Sequence, residues 1–177
     1  DVEARVAKAQ QRSGELSAVF RHRALTAKQK YRVLCAFVLP VCLRACETWG
    51  LRQAEVSVLE TWWNKKLGQC LGVSKVDRIR TTALLEHFLE RHLSETVRAR
   101  RLRYFGHLVR YPETRWARLL LEAEAPGPKL RGQRRTWRDD VAWDLQARGL
   151  CAHDCLDRAS WRERSECGPF ARRGRAA

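Results

Sequence analysis

Residues 98–116 read RARRLRYFGHLVRYPETRW, and the way this stretch winds decides the fold. Six arginines alternate with aromatic and branched side chains, and Gly106 and His107 stand together in the middle. At 100° per residue, Val97, Leu102, Tyr104, Phe105, Leu108, Val109 and Tyr111 share an arc about 180° wide, which must face other helices. Arg100, Arg103, His107 and Arg110 fall opposite, at i, i+3, i+7 and i+10. They form a ridge of donors roughly 15 Å long at the helical rise. Gly106 borders the ridge, where a missing side chain lets another backbone approach. Between Ser94 and Pro112 only Glu95 is negative. A face built for solubility alone mixes both signs, so the ridge points to phosphate contact, which sets position along a backbone without reading sequence.

Working outward, helical periodicity recurs and strand alternation does not. Val2, Val6, Ala9, Leu16, Val19 and Phe20 predict a helix over 2–22, with Gly14 its weak point. Thr26 caps a helix from Ala27 to about Thr48, kinked at Pro40, because proline lacks the amide donor and crowds the preceding turn. A third helix spans about Ala54–Leu71 and stops at Gly72. Thr81 or Thr82 opens a short helix to about Arg91, and Ser94 caps the arginine-rich helix that Pro112 closes. WARLLLEA (116–123) predicts another. PGPKLRGQRR (126–135) is the clearest break. Thr136 and Asp139 have capping-box spacing and start a helix to Arg148, with Gly149 as its stop. A last helix covers Cys155 to about Glu166. The fold class expected is all-α: a bundle of about six to eight helices with a basic Pro/Gly loop and a flexible basic C-terminal tail. The division expected is a helical region over 1–125, the loop at 126–135, a small helical region over 136–167 and a disordered tail at 168–177.

Charge narrows the partners. The 177 residues hold 35 Lys plus Arg against 20 Asp plus Glu, a net +15 spread along the whole chain rather than gathered in a tail. That suits a long polyanion, and nucleic acid is the commonest partner of an arginine-rich chain. Besides the ridge, Lys129, Arg131, Arg134 and Arg135 in the loop are candidate phosphate contacts. Tyr104 and Trp137 read as core residues rather than stacking platforms. A membrane partner is disfavoured: the longest apolar run, LCAFVLPVCL (34–43), falls well short of the roughly 20 residues a spanning helix needs, and no secretory signal opens the chain. The absence of methionine reads as an internal or C-terminal fragment of something longer.

Seven cysteines, an odd number with no secretory signal, point to a reducing, intracellular compartment. Cys35, Cys42 and Cys46 lie at i, i+7 and i+11 and read as small core residues on one helix face. Cys151, His153, Cys155 and Cys167 mix metal-ligand types, but their spacing matches no usual zinc pattern. Zinc is the minor reading there, and no metal is expected.

Several blocks together resemble one family. KYRVLCAFVLPVCLRACETW (30–49), LETWWNKKLGQCLGVSKVDRIR (59–80), RRLRYFGHLVRY (100–111), RGQRRTWRDDVAWDL (131–145) and DRASWR (157–162) resemble, in order and spacing, the segments beyond the polymerase core in LINE-type non-LTR retrotransposon endonuclease–reverse transcriptases. RVAKAQQR (5–12) resembles the segment just downstream of the palm in that family. The family commonly has Tyr-Gly where Arg44-Ala45 stand, Met where Tyr111 stands and Arg-Pro where Gln133-Arg134 stand. The resemblance covers about residues 5–165 and implies a thumb and linker region, thumb-like over 1–125, that packs against upstream palm and fingers of the same polypeptide. It also implies a nuclear location.

The family's polymerase aspartates lie upstream and are absent, and no endonuclease carboxylate/His cluster is visible. Asp139-Asp140 opens a helix, where carboxylates meet the positive end of the dipole; His87 and His92 are off the i, i+4 spacing of a helical metal pair. The expectation is therefore a non-catalytic fragment with no cofactor of its own, whose parent polymerase would use Mg. It grips an RNA–DNA hybrid or DNA duplex by its phosphates. The alternative is a helical protein-interaction module, or a decayed element fragment with no selected role.

Overall fold

A computed structural model describes residues 2–73, 77, 79–123 and 136–166. Among the described residues every regular element is helical and none is a strand, so the fold class is all-α. In chain order these are α1 (Val2–Glu15), α2 (Ser17–Arg21), α3 (Ala27–Val33), a π-helical turn (Leu34–Val38), α4 (Leu39–Cys42), a 3-10 turn (Cys46–Thr48), α5 (Gln53–Leu71), α6 (Thr81–Phe88), α7 (Leu93–Val109), α8 (Trp116–Glu122), α9 (Trp137–Ala147), a second 3-10 turn (Ala152–Leu156) and α10 (Arg158–Glu166).

Local chemistry accounts for three of the ends. Thr26 closes a capping box on α3: its Oγ1 accepts from Gln29 N at 3.3 Å, and its own amide donates to Gln29 Oε1 at 2.9 Å. Thr136 and Asp139 do the same for α9. Gly72 stops α5 at φ 77°, a conformation that strains any residue with a Cβ. Val73 N then donates back to Gly68 O at 3.0 Å, satisfying a terminal carbonyl.

Several boundaries differ from expectation: α6 ends at Phe88, short of Arg91, where Leu89 turns at φ 54°, and the last helix starts at Arg158 after the 3-10 turn that holds Cys155. The helix predicted over 27–48 is not a simple kink. Pro40 has no amide to give and its ring crowds the turn before it; the chain answers by widening that turn, so that Leu39 N donates five residues back to Leu34 O. The helix ends at Cys42, and Ala45 turns the chain at φ 56°. Cys35, Cys42 and Cys46 therefore do not share one helix face, and only Cys42 and Cys46 are buried. The predicted 2–22 helix breaks at Leu16, just past Gly14. Ser94 does not cap the arginine-rich helix, because it lies inside the first turn. Glu60 of α5 takes that place, accepting from Leu93 N at 3.2 Å and Ser94 N at 2.7 Å.

The chain divides into two compact units, one of residues 2–46 and 51–96, the other of 47–50 and 97–166, with α7 crossing from one to the other between Thr96 and Val97. In the first unit, α1 packs on α4 and α5, and α5 on α3 and α6. Leu34, Val38, Leu59, Trp63 and Leu67 are fully buried there. Lys66 is buried among them, donating to Ser13 Oγ at 2.7 Å, and burial pulls its pKa below the usual lysine value, helped by Lys65. Tyr31 stacks on Phe88 and hydrogen-bonds Glu90.

In the second unit Leu102 and Phe105 of α7 meet Val141 of α9, Leu150, Cys155 and Trp161 of α10. Gly106 is what admits Trp161: a Cβ at that position would stand 2.7 Å from Cε2 and 2.8 Å from Cδ1 of the indole. The close approach expected at Gly106 is therefore made by a side chain and not by a backbone. Among the described residues no helix is long and apolar enough to cross a membrane.

Candidate nucleic-acid interface

The six arginines of 98–116 have different fates. Arg101 points inward and is 2% exposed. Its Nε donates to Asp144 Oδ2 at 2.8 Å, Nη2 lies 2.7 Å from the same oxygen, Nη1 lies 3.4 Å from Asp140 Oδ2, and Nη1 donates to Trp49 O at 2.6 Å. Burial pushes the Asp144 carboxyl above the ordinary aspartate value, against the opposing pull of Arg101 and Arg98. Arg98 lies 3.8 Å from Asp144 and covers the Trp143 ring at 4.5 Å. Arg110 Nη1 donates to the Cys155 carbonyl at 2.7 Å. Arg115 sits 4.7 Å over Tyr111. The acids missing from the local sequence are thus supplied by α9. Asp140 and Asp144 lie on the inner side of that helix, which no pattern within 94–112 reveals.

Of the four ridge residues, Arg100, Arg103 and His107 are exposed on α7, whereas Arg110 is half-buried and engaged with backbone. His107 shares a 2.8 Å hydrogen bond with Tyr111 OH. Arg103 makes an ion pair with Glu166 of α10, and its pKa falls below the usual guanidinium value, first by burial, then by the charges of Arg162 and Arg100. Arg162 is not among the candidates read from the sequence. Its signal lies in DRASWR: if Trp161 turns inward, the next residue flanks whatever Trp161 covers, which here is Gly106 at the border of the ridge.

Lys129, Arg131, Arg134 and Arg135 lie outside the described residues, as does Cys167. Cys155 is fully buried in the second unit's core, where burial raises its thiol pKa to about 11. Among the described residues no group of three or more His, Cys, Asp or Glu could hold a metal. Tyr104 and Trp137 meet edge-on at 6.1 Å, and Trp137 Nε1 donates to Glu47 O at 2.8 Å, so both belong to packing. No protein-family model, no curated protein and no solved structure matches the chain.

Proposed function

We propose that this chain is the post-polymerase, thumb and linker region of a LINE-type reverse transcriptase, itself non-catalytic, that holds a template–primer duplex by its phosphates in the nucleus. The observation that carries this reading is the pair Arg100 and Arg103, one helical turn apart and exposed on α7, in a chain of net charge +15. A polymerase must retain its duplex while it moves along it, so useful contacts are ionic and blind to sequence. A second support comes from Ala45. Its φ of 56° is one that glycine adopts without strain, and the resembled family commonly has glycine there.

The test is duplex binding by the purified chain across a salt series, with a DNA duplex and an RNA–DNA hybrid as probes. Each phosphate contact contributes roughly −0.9 to the log–log slope for B-form DNA. Reversing both charges, Arg100→Glu with Arg103→Glu, should weaken binding at least about tenfold and flatten the slope by about 2. Binding indifferent to salt, or untouched by the reversal, refutes the reading.

One observation favours the alternative of a helical protein-interaction module. On α8, Trp116 is 80% exposed, Leu120 71% and Leu119 44%, an apolar stripe of the kind that partners cover. Under that reading Trp116→Ser abolishes association with a partner protein while the salt slope on duplex is absent from the start.

A further inference from the structure

We propose that Arg100, Arg103 and Arg162 form one subsite for a backbone phosphodiester, and that the Glu166 carboxylate occupies it until nucleic acid displaces it. The inference rests on the nucleic-acid reading above and specifies how that site is controlled.

Two contacts and the spacing along each helix assemble the subsite. The Trp161 indole lies against Gly106, which brings α10 onto the C-terminal half of α7. Arg103 Nη2 then pairs with Glu166 Oε1. Arg162 and Glu166 are four residues apart on α10, and Arg100 and Arg103 three apart on α7, so each pair shares a helix face. The Arg103–Glu166 pair therefore brings both arginine-bearing faces together. The repulsion that Arg162 and Arg100 exert on Arg103 agrees with this placement.

The chemistry of the occupant comes from the donors. A guanidinium presents a planar fork of N–H groups that suits carboxylate and phosphate oxygens alike. A phosphodiester carries the same single charge as Glu166, but its tetrahedral oxygens can accept from donors arriving on two helices. Exchange is open, because the Arg103 side chain is 58% exposed and that of Glu166 41%. An ion pair this exposed is held weakly against water and salt. Glu166 thus acts as a tethered competitor: it keeps the cluster partly neutral in the absence of nucleic acid and yields to a polyanion that offers several phosphates at once.

The test compares Glu166→Gln with Glu163→Gln in the 177-residue chain. Glu163 is exposed on the same helix, so both variants change net charge equally. Binding is read by fluorescence anisotropy on a labelled duplex of about 20 base pairs across a salt series, with circular dichroism to verify helix content. Glu166→Gln should bind about three- to tenfold tighter than Glu163→Gln, with a slope steeper by up to about 1, since Arg103 then exchanges salt anion for phosphate rather than Glu166 for phosphate. Adding Arg103→Gln to Glu166→Gln should erase the gain. Equal affinities for the two single variants overturn the subsite while leaving the nucleic-acid reading in place; no salt-dependent binding by the wild-type chain overturns both. A gain seen on vesicles of anionic lipid but not on duplex also overturns the proposal.

Discussion

Replacing Arg101 by alanine should be among the most damaging single changes in the second unit. The guanidinium is 2% exposed and sits against Asp144 at 1% and Asp140 at 3%, with the Trp49 carbonyl as a further acceptor. Truncation takes from two buried carboxylates the guanidinium they share, and Arg98, 3.8 Å from Asp144, makes up only part of the loss. Removing one partner of a buried ion pair typically costs about 3–5 kcal/mol. Set against the roughly 5–15 kcal/mol that hold a whole domain together, that loss would leave the unit marginal. Urea unfolding followed by tryptophan fluorescence and far-ultraviolet circular dichroism measures it. Two controls separate lost ion pairing from lost packing. The triple variant Arg101→Met, Asp140→Asn, Asp144→Leu removes the charges together and should recover most of the stability, because replacing a buried network by apolar groups is often neutral or better. The single variant should also regain stability on acidification. Burial already holds the Asp144 carboxyl above its ordinary value and Arg101 supplies the largest opposing pull, so without Arg101 the native state binds the extra proton there and is favoured as pH falls through that raised value. An Arg101→Ala protein within about 1 kcal/mol of wild type at neutral pH would refute the reasoning.

Gly106→Ala should destabilise the second unit by about 1–3 kcal/mol, since the new methyl meets the Trp161 ring and overpacking outweighs the gain in helix propensity; urea midpoints check it. Glu60→Ala removes the acceptor for two amides at the start of α7 and should cost about 1–2 kcal/mol, measured in the same way, with Glu60→Gln keeping part of it. Alkali should weaken the first unit. Burial holds the Cys42 and Cys70 thiols up to about 12, from an ordinary 9.0. The unfolded thiols therefore lose protons first, and stability falls by about 1 kcal/mol per pH unit for each as pH rises from about 9. Cys42→Ala should flatten that decline in a pH series of unfolding curves under reducing conditions.

The parts of the fold legible in sequence are those decided within a few residues. Thr26 with Gln29, Thr136 with Asp139, and Gly72 after α5 act through contacts three to five positions away, and each stands where its pattern puts it. The parts that are not legible depend on residues distant in the chain. Arg101 and Arg103 are the same amino acid two positions apart, yet one is sealed and the other exposed, because Asp140 and Asp144 wait on α9 for the first. Ser94 has the right chemistry for a cap, but Glu60, 34 residues earlier, reaches the amides instead. The candidate ridge is legible as a helix face; that Arg110 donates to the Cys155 carbonyl is not, since Cys155 lies 45 residues on.

The widened turn at Leu34–Val38 makes one place in the first unit unusually forgiving of a change in chain length. A π-helical turn holds one residue more than ordinary winding needs, so deleting a single residue there, together with Pro40→Ala to remove the ring that widens the turn, lets the helix tighten while the residues before and after keep their orientation. The same deletion in the middle of α5 would rotate everything beyond it by about 100°, dragging the far part of a helix with seven buried residues out of phase with its neighbours.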